Sequence, residues 1–216
     1  MTVDPHPVPP SEHPTTRVVV VIASLAIVVL AALTTAVVLQ DGPLPGEVAI
    51  IRWLQSFAEP VPAIAGAIRL TTGTEANLLV GAVPAVWVVR RHGRRGLAAM
   101  VILLVAMLVV QPVSKELVDR DRPDETQVEV RAEYTSRSYP SGHSLSTTAV
   151  WGTAGWYTAR IGRRWALAAC VPIASTAVAS GVEGVHWASD SIAGLIIGGV
   201  AAWAAAGLLR RPRTAR

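Results

Sequence analysis

The stretch LAAMVILLVAMLVVQPVSKELVDRDRP, residues 97–123, decides the fold class. Residues 97–113 are apolar over nearly the length, about 20 residues, that a helix needs to cross a bilayer. The run then passes into Lys115, the only lysine of the chain, and closes on Arg122-Pro123. Five further apolar runs occupy residues 18–39, 70–89, 145–159, 165–182 and 192–209. A chain of 216 residues that is 51% hydrophobic and 16% charged is too apolar for a soluble domain of this length. The pattern predicts an all-α polytopic membrane protein with six transmembrane helices. Residues 48–68 are interrupted by Arg52, Glu59, Pro60 and Pro62, which predicts a short amphipathic helix at the membrane surface in place of a seventh span. The expected organisation is a disordered tail at 1–16, a membrane domain at 17–210 and a basic tail at 211–216.

Charge orients the expected bundle. With the N-terminus inside, the inner loops and tails receive Arg17, Arg90, Arg91, Arg94, Arg95, Arg160, Arg163, Arg164, Arg210, Arg211, Arg213 and Arg216, while only Asp4 and Glu12 of the acidic residues fall there. This asymmetry predicts a multi-pass protein of the cell membrane with both termini in the cytoplasm. It also explains a pI near 10.0 without a nucleic-acid partner. The first run reads as an uncleaved anchor, because a signal peptide would have a shorter apolar region and would not start behind sixteen polar and proline-rich residues. Cys170 is the single cysteine, so neither an intrachain disulfide nor a Cys-based metal cluster can form.

This topology places three polar clusters on the outer face. In the first, Lys115 and Arg122 are seven residues apart, about two helical turns, so on a helix ended by Pro123 both would project from a similar face. Two such cations can bind phosphate oxygens, the guanidinium as a fork and the ammonium as a point charge. The same pair can also be a juxtamembrane patch for lipid headgroups. The second cluster, Tyr139-Pro140-Ser141-Gly142-His143-Ser144, precedes a predicted helix. The first-turn amides with the Ser141 hydroxyl would make an anion site, and His143 could give a proton to a leaving oxygen. A plain turn with Ser144 as cap fits the same residues. In the third, His186 and Asp190 are four apart, so the carboxylate can hold Nδ1 and leave Nε2 as a nucleophile. An interfacial histidine beside Trp187, with Ser189 or Asp190 capping the last helix, is the competing reading. A zinc site would have only His143, His186 and carboxylates to draw on, so no metal and no other cofactor is expected.

Taken in order, the clusters resemble the type 2 phosphatidic acid phosphatase superfamily, the lipid phosphate phosphatases, in its membrane-integral bacterial form. Lys115 to Pro123 matches the family's Lys, six residues, Arg-Pro; Pro140 to His143 matches its Pro-Ser-Gly-His; and His186 with Asp190 matches the end of its third motif. The resemblance implies a metal-independent phosphatase in which His186 attacks phosphorus to give a phosphohistidine, Asp190 orients it and His143 protonates the leaving group. It further implies that Lys115, Arg122, Ser141 and Gly142 bind the phosphate. One departure stands out: the Ser-Arg pair of the third motif falls on Ala179-Ser180, so its arginine is missing. Arg137 or Arg120, from the same outer region, is the expected substitute, Arg137 first because it lies just upstream of the second motif. The alternatives that follow from the gap are a weakened protein that binds lipid phosphate, and a lipid phosphotransferase. The expected partner is a membrane lipid phosphate, with polyprenyl diphosphate, phosphatidate and phosphatidylglycerol phosphate all fitting.

Two lesser features complete the reading. Gly194 and Gly198 predict close helix packing within the chain, and the seven tryptophans, mostly near predicted helix ends, predict interfacial anchors.

Overall fold

The computed structural model describes residues 16–40, 42–159 and 161–209. The expected tails lie outside these residues, except for Thr16, which opens the first helix. Among the described residues every regular element is a helix, in the order α1 (Thr16–Leu39), α2 (Glu47–Gln55), α3 (Val61–Thr72), α4 (Thr74–His92), α5 (Arg94–Val105), a π-helical segment (Ala106–Val110), α6 (Gln111–Val118), α7 (Gly142–Thr158), α8 (Arg163–Val182) and α9 (Ala188–Leu209), with a long loop at 119–141. Among the described residues, four helical stretches can cross a membrane by length and composition: Val21–Leu39, Arg94–Val118, Arg163–Val182 and Ala188–Leu209. The bent pair Val61–Thr72 and Thr74–His92 makes five if it counts as one span. The sixth expected span corresponds to α7, whose 17 residues are fewer than the usual transmembrane length.

Residues 48–68 depart from the single surface helix expected of them. They form α2 and most of α3, and α3 packs through Ala65 against Ala179 and Val182 of α8. Pro62 falls in the first turn of α3, where its missing N–H breaks no helical bond, so it starts a helix rather than stopping one. Between α3 and α4 the axis bends by 53° at Gly73. At the bend the Asn77 side-chain amide donates to Thr72 O at 2.8 Å and lies 3.1 Å from Gly73 O, which also accepts the Asn77 backbone N–H. The same group reaches Ser146 Oγ and Thr147 Oγ1 of α7, tying the bend to the centre of the molecule.

α7 and α9 form that centre. Only 6% of α1's apolar stretch is buried, against 44% for α9, so α1 is peripheral and turns Val21, Ile22, Leu25 and Val28 outward. Small residues let α9 approach α7: a Cβ on Gly194 would lie 2.6 Å from Ser141 O, and one on Gly198 would collide with Leu145 O. The close packing expected of this pair is therefore within the chain. Gly198→Ala should gain ~1 kcal/mol of helix propensity. It should lose more, about 1–3 kcal/mol or above, because the clash is with main chain that no rotamer change relieves. A lowered thermal midpoint in detergent is the expected result, and an unchanged one would contradict this packing.

Among the tryptophans, Trp53, Trp87 and Trp165 are exposed as anchors would be. Trp187 is not: it is buried, donates from Nε1 to Asp121 O at 3.0 Å, and lies beneath the Arg120 guanidinium. Its indole belongs to the interior because it floors the charged network described next.

Candidate active site

The turn between α8 and α9 carries the third cluster. His186 is buried, and its Nδ1 lies 3.6 Å from Asp190 Oδ2 in the first turn of α9. That carboxylate is fixed from several sides. Oδ2 accepts the Trp187 N–H at 2.8 Å and the Ser138 hydroxyl, while Oδ1 accepts Arg120 Nη1 at 2.6 Å. Ser138 Oγ also approaches His186 Nδ1, at 3.4 Å. Arg120 in turn pairs with Glu47 Oε2 at 2.6 Å, and Glu47 Oε1 accepts the backbone N–H of Ser189 at 2.9 Å. Glu47, Arg120 and Asp190 thus form a fully buried charged triad that holds α2, the 119–123 segment and α9 together.

On its other nitrogen, His186 Nε2 lies 3.3 Å from Arg122 Nη1. Arg122 is held by bonds to Val185 O at 2.6 Å and Ser136 O at 2.7 Å. Lys115 Nζ reaches the same loop, at Ser136 Oγ and Arg137 O. The two cations converge as expected, but not from one helical face. α6 ends at Val118 and Asp119 turns left-handed (φ 52°), so Arg122 reaches in from an extended segment. Burial, then the Arg69 charge, lowers the Arg122 guanidinium to about 10, which leaves it charged at neutral pH. Burial and then the Arg122 charge, with Arg69 and Lys115 adding to them, hold His186 well below the ordinary imidazole range, so its ring is neutral.

The second cluster opens α7. Ser141 Oγ accepts the Ser144 N–H at 3.4 Å, while the Ser141 N–H donates to Asp190 O at 3.0 Å and so binds this cluster to the third. Gly142 and His143 stand in the first turn, where amides have no carbonyl four residues back within the helix. His143 Nδ1 lies 3.5 Å from Arg69 Nη2.

The two arginines expected to replace the missing one are placed elsewhere. Arg137 is partly exposed and its guanidinium pairs with Asp119 Oδ1 and Asp121 Oδ1, away from the histidines. Only its backbone carbonyl, which accepts from Lys115 and Arg122, takes part in the cluster. Arg120 meets Asp190, but both of its Nη groups are taken up within the protein, by Asp190 and Ser189 on one and Glu47 on the other. The guanidinium beside Ser180 is that of Arg69 in α3, whose Nη1 donates to Ser180 Oγ at 2.8 Å. Tyr134 completes the group. Its hydroxyl accepts from Arg69 Nη2 at 2.8 Å, and its ring lies 5.2 Å from the Arg69 guanidinium and 4.7 Å from that of Arg122.

The sequence reading missed Arg69, Tyr134, Ser138 and Glu47. For Arg69 a signal existed, since it is the only charged residue between Glu59 and Glu75 and an ionised group in an apolar segment marks function by default. Tyr134 and Ser138 sit in a polar loop and Glu47 opens α2, and none of them carries a comparable mark.

The described residues form a helical core with two histidines and a group of cations gathered in one cluster. The chain belongs to the PAP2 superfamily, whose family model matches residues 95–213. Its fold is that of a solved structure described as the first transmembrane PAP2-type phosphatidylglycerolphosphate phosphatase from Bacillus subtilis, with a TM-score of 0.73 at 18% identity, covering 86% of this chain and 94% of that one. No curated protein matches the chain.

Proposed function

We propose that the chain is a membrane-integral phosphatase that removes the terminal phosphate from a lipid phosphate or diphosphate. The observation that carries this reading is the convergence of His186 Nε2 with Arg122, with Asp190 held behind Nδ1. In the proposed reaction the Nε2 lone pair forms a bond to phosphorus while the bond to the leaving oxygen breaks. A cationic His143, its charge offset by the bound phosphate, gives a proton to that oxygen and is left as the neutral ring. Water then attacks the phosphohistidine, His143 takes the proton, and inorganic phosphate leaves. Lys115, Arg122 and the Gly142 N–H stabilise charge on the transferred group, where donors fixed in advance contribute most, while the Ser141 N–H is held by Asp190 O. Asp190 balances the positive charge that develops on His186.

The proposed substrate is a polyprenyl diphosphate, phosphatidate or phosphatidylglycerol phosphate. The last is what the structural neighbour's description names for that protein. Six crossings, with both termini in the cytoplasm and the site facing outward from the cell membrane, remain the topology that the charge asymmetry supports. The test is phosphate release from these three lipids by the purified protein with EDTA present. Release that persists in EDTA supports the reading, and release that requires an added divalent ion counts against the metal-independent form of it.

A pH profile tests the electrostatics. The lowered pKa of His186 keeps its nucleophilic form populated as pH falls through the usual imidazole range. Arg122→Ala removes the largest lowering charge, so the acid limb of kcat/KM should move to higher pH, whatever the overall loss of rate. The ionisation of the substrate is common to both proteins and drops out of the comparison. An acid limb that stays in place would show that Arg122 does not act on His186.

A further inference from the structure

We infer that Arg69 is a phosphate-binding residue of this site, supplying from α3 the cation that the third motif lacks at Ser180. The inference rests on the phosphatase reading for its substrate but not for its geometry. Residue 180 is where the superfamily pattern places an arginine on α8. Here the small Ser180 side chain donates to Thr176 O at 3.0 Å and accepts from Arg69 Nη1 at 2.8 Å, so the Arg69 guanidinium lies where a longer side chain at 180 would extend. The charge is kept and the helix that delivers it is exchanged.

The electrostatics of Arg69 call for an anion from outside the chain. The residue is 4% exposed and its Nε has no hydrogen-bond partner. Among the described residues no ion pair involves it, whereas the equally buried Arg120 has two carboxylates. A buried cation without a counter-charge is strongly unfavourable. Its neighbours do not relieve this: Tyr134 and Ser180 are neutral, and the nearest site residues, Arg122 and Lys115, add like charge around His186. Three cations, against the single net negative charge of the Glu47–Arg120–Asp190 triad, leave an excess of positive charge that a phosphate dianion or a diphosphate neutralises. Arg69 also reaches His143 at 3.5 Å, and the Tyr134 ring lies within cation–π distance of both Arg69 and Arg122. A group held between those two arginines therefore touches both histidine regions.

The test uses the full chain purified in detergent, with orthovanadate and inorganic phosphate as binding probes measured by calorimetry, and unfolding temperature recorded alongside. Arg69→Ala should weaken vanadate binding by about tenfold or more, the factor carried by one lost charge-assisted bond. The Arg69→Ala/Ser180→Arg double variant, which returns a guanidinium from α8, should recover most of that loss. Parent-like binding by Arg69→Ala would overturn the inference. So would a parent that binds neither probe, or a loss of binding that follows a lowered unfolding temperature and is not restored by Ser180→Arg. If the parent binds vanadate through Arg69 yet releases phosphate from no lipid, the phosphatase reading fails and the assignment of Arg69 stands.

Discussion

Replacing His186 with alanine is expected to reduce phosphate release from a lipid phosphate by on the order of 10⁴-fold or more, since loss of a nucleophile removes the entire covalent route. The fold should survive, because the imidazole contributes only the 3.6 Å approach to Asp190 and weak contacts to Ser138 and Arg122. The carboxylate keeps its bonds from Trp187, Ser138 and Arg120 when the ring is gone. The informative comparison is therefore turnover against unfolding temperature. Activity within tenfold of the parent would exclude His186 as the nucleophile.

Arg120→Met should instead act on stability. The parent guanidinium joins Glu47 and Asp190, each at 2.6 Å, with all three side chains buried. Removing it leaves two carboxylates without a counter-charge in the interior, which costs about 3–5 kcal/mol for a broken buried pair. The Trp187 indole beneath Arg120 would lose its cation as well. A large fall in the unfolding midpoint, with activity lost only as the fold is lost, is the expected result. A stable variant with a raised KM would mean that Arg120 binds substrate, the role that its place in the sequence suggests.

Legibility varied with how far each inference depended on local pattern. The three motifs carried Lys115, Arg122, His143, His186 and Asp190, and helix ends followed apolar runs closely, as at 192–209 against Ala188–Leu209. Where a polar functional group sits inside a helix the pattern stops short: the run 97–113 belongs to a stretch that continues to Val118, because Lys115 and Glu116 are helical despite their charge. The same effect hid Arg69. An apolar run counted from residue 70 begins one residue after it, and Pro60 and Pro62 read as breakers when Pro62 in fact lies in the first turn of α3. Arg137 fails as a substitute for a reason no spacing reveals, since Asp119 and Asp121, close by in the fold, capture it first. Glu47 is tied to Arg120 across 73 residues of chain, a pairing that only tertiary structure supplies.

The central claim, covalent transfer of phosphate to one histidine, is tested most directly by trapping the intermediate. The purified protein would be mixed with a lipid carrying isotopically labelled terminal phosphate, quenched without acid within a single turnover, and digested to locate the label. Label on His186, absent from His186→Ala and lost as free phosphate appears, is the expected result. A burst of labelled phosphate with no label on any histidine would contradict the covalent mechanism, and label on His143 would reverse the roles of the two rings.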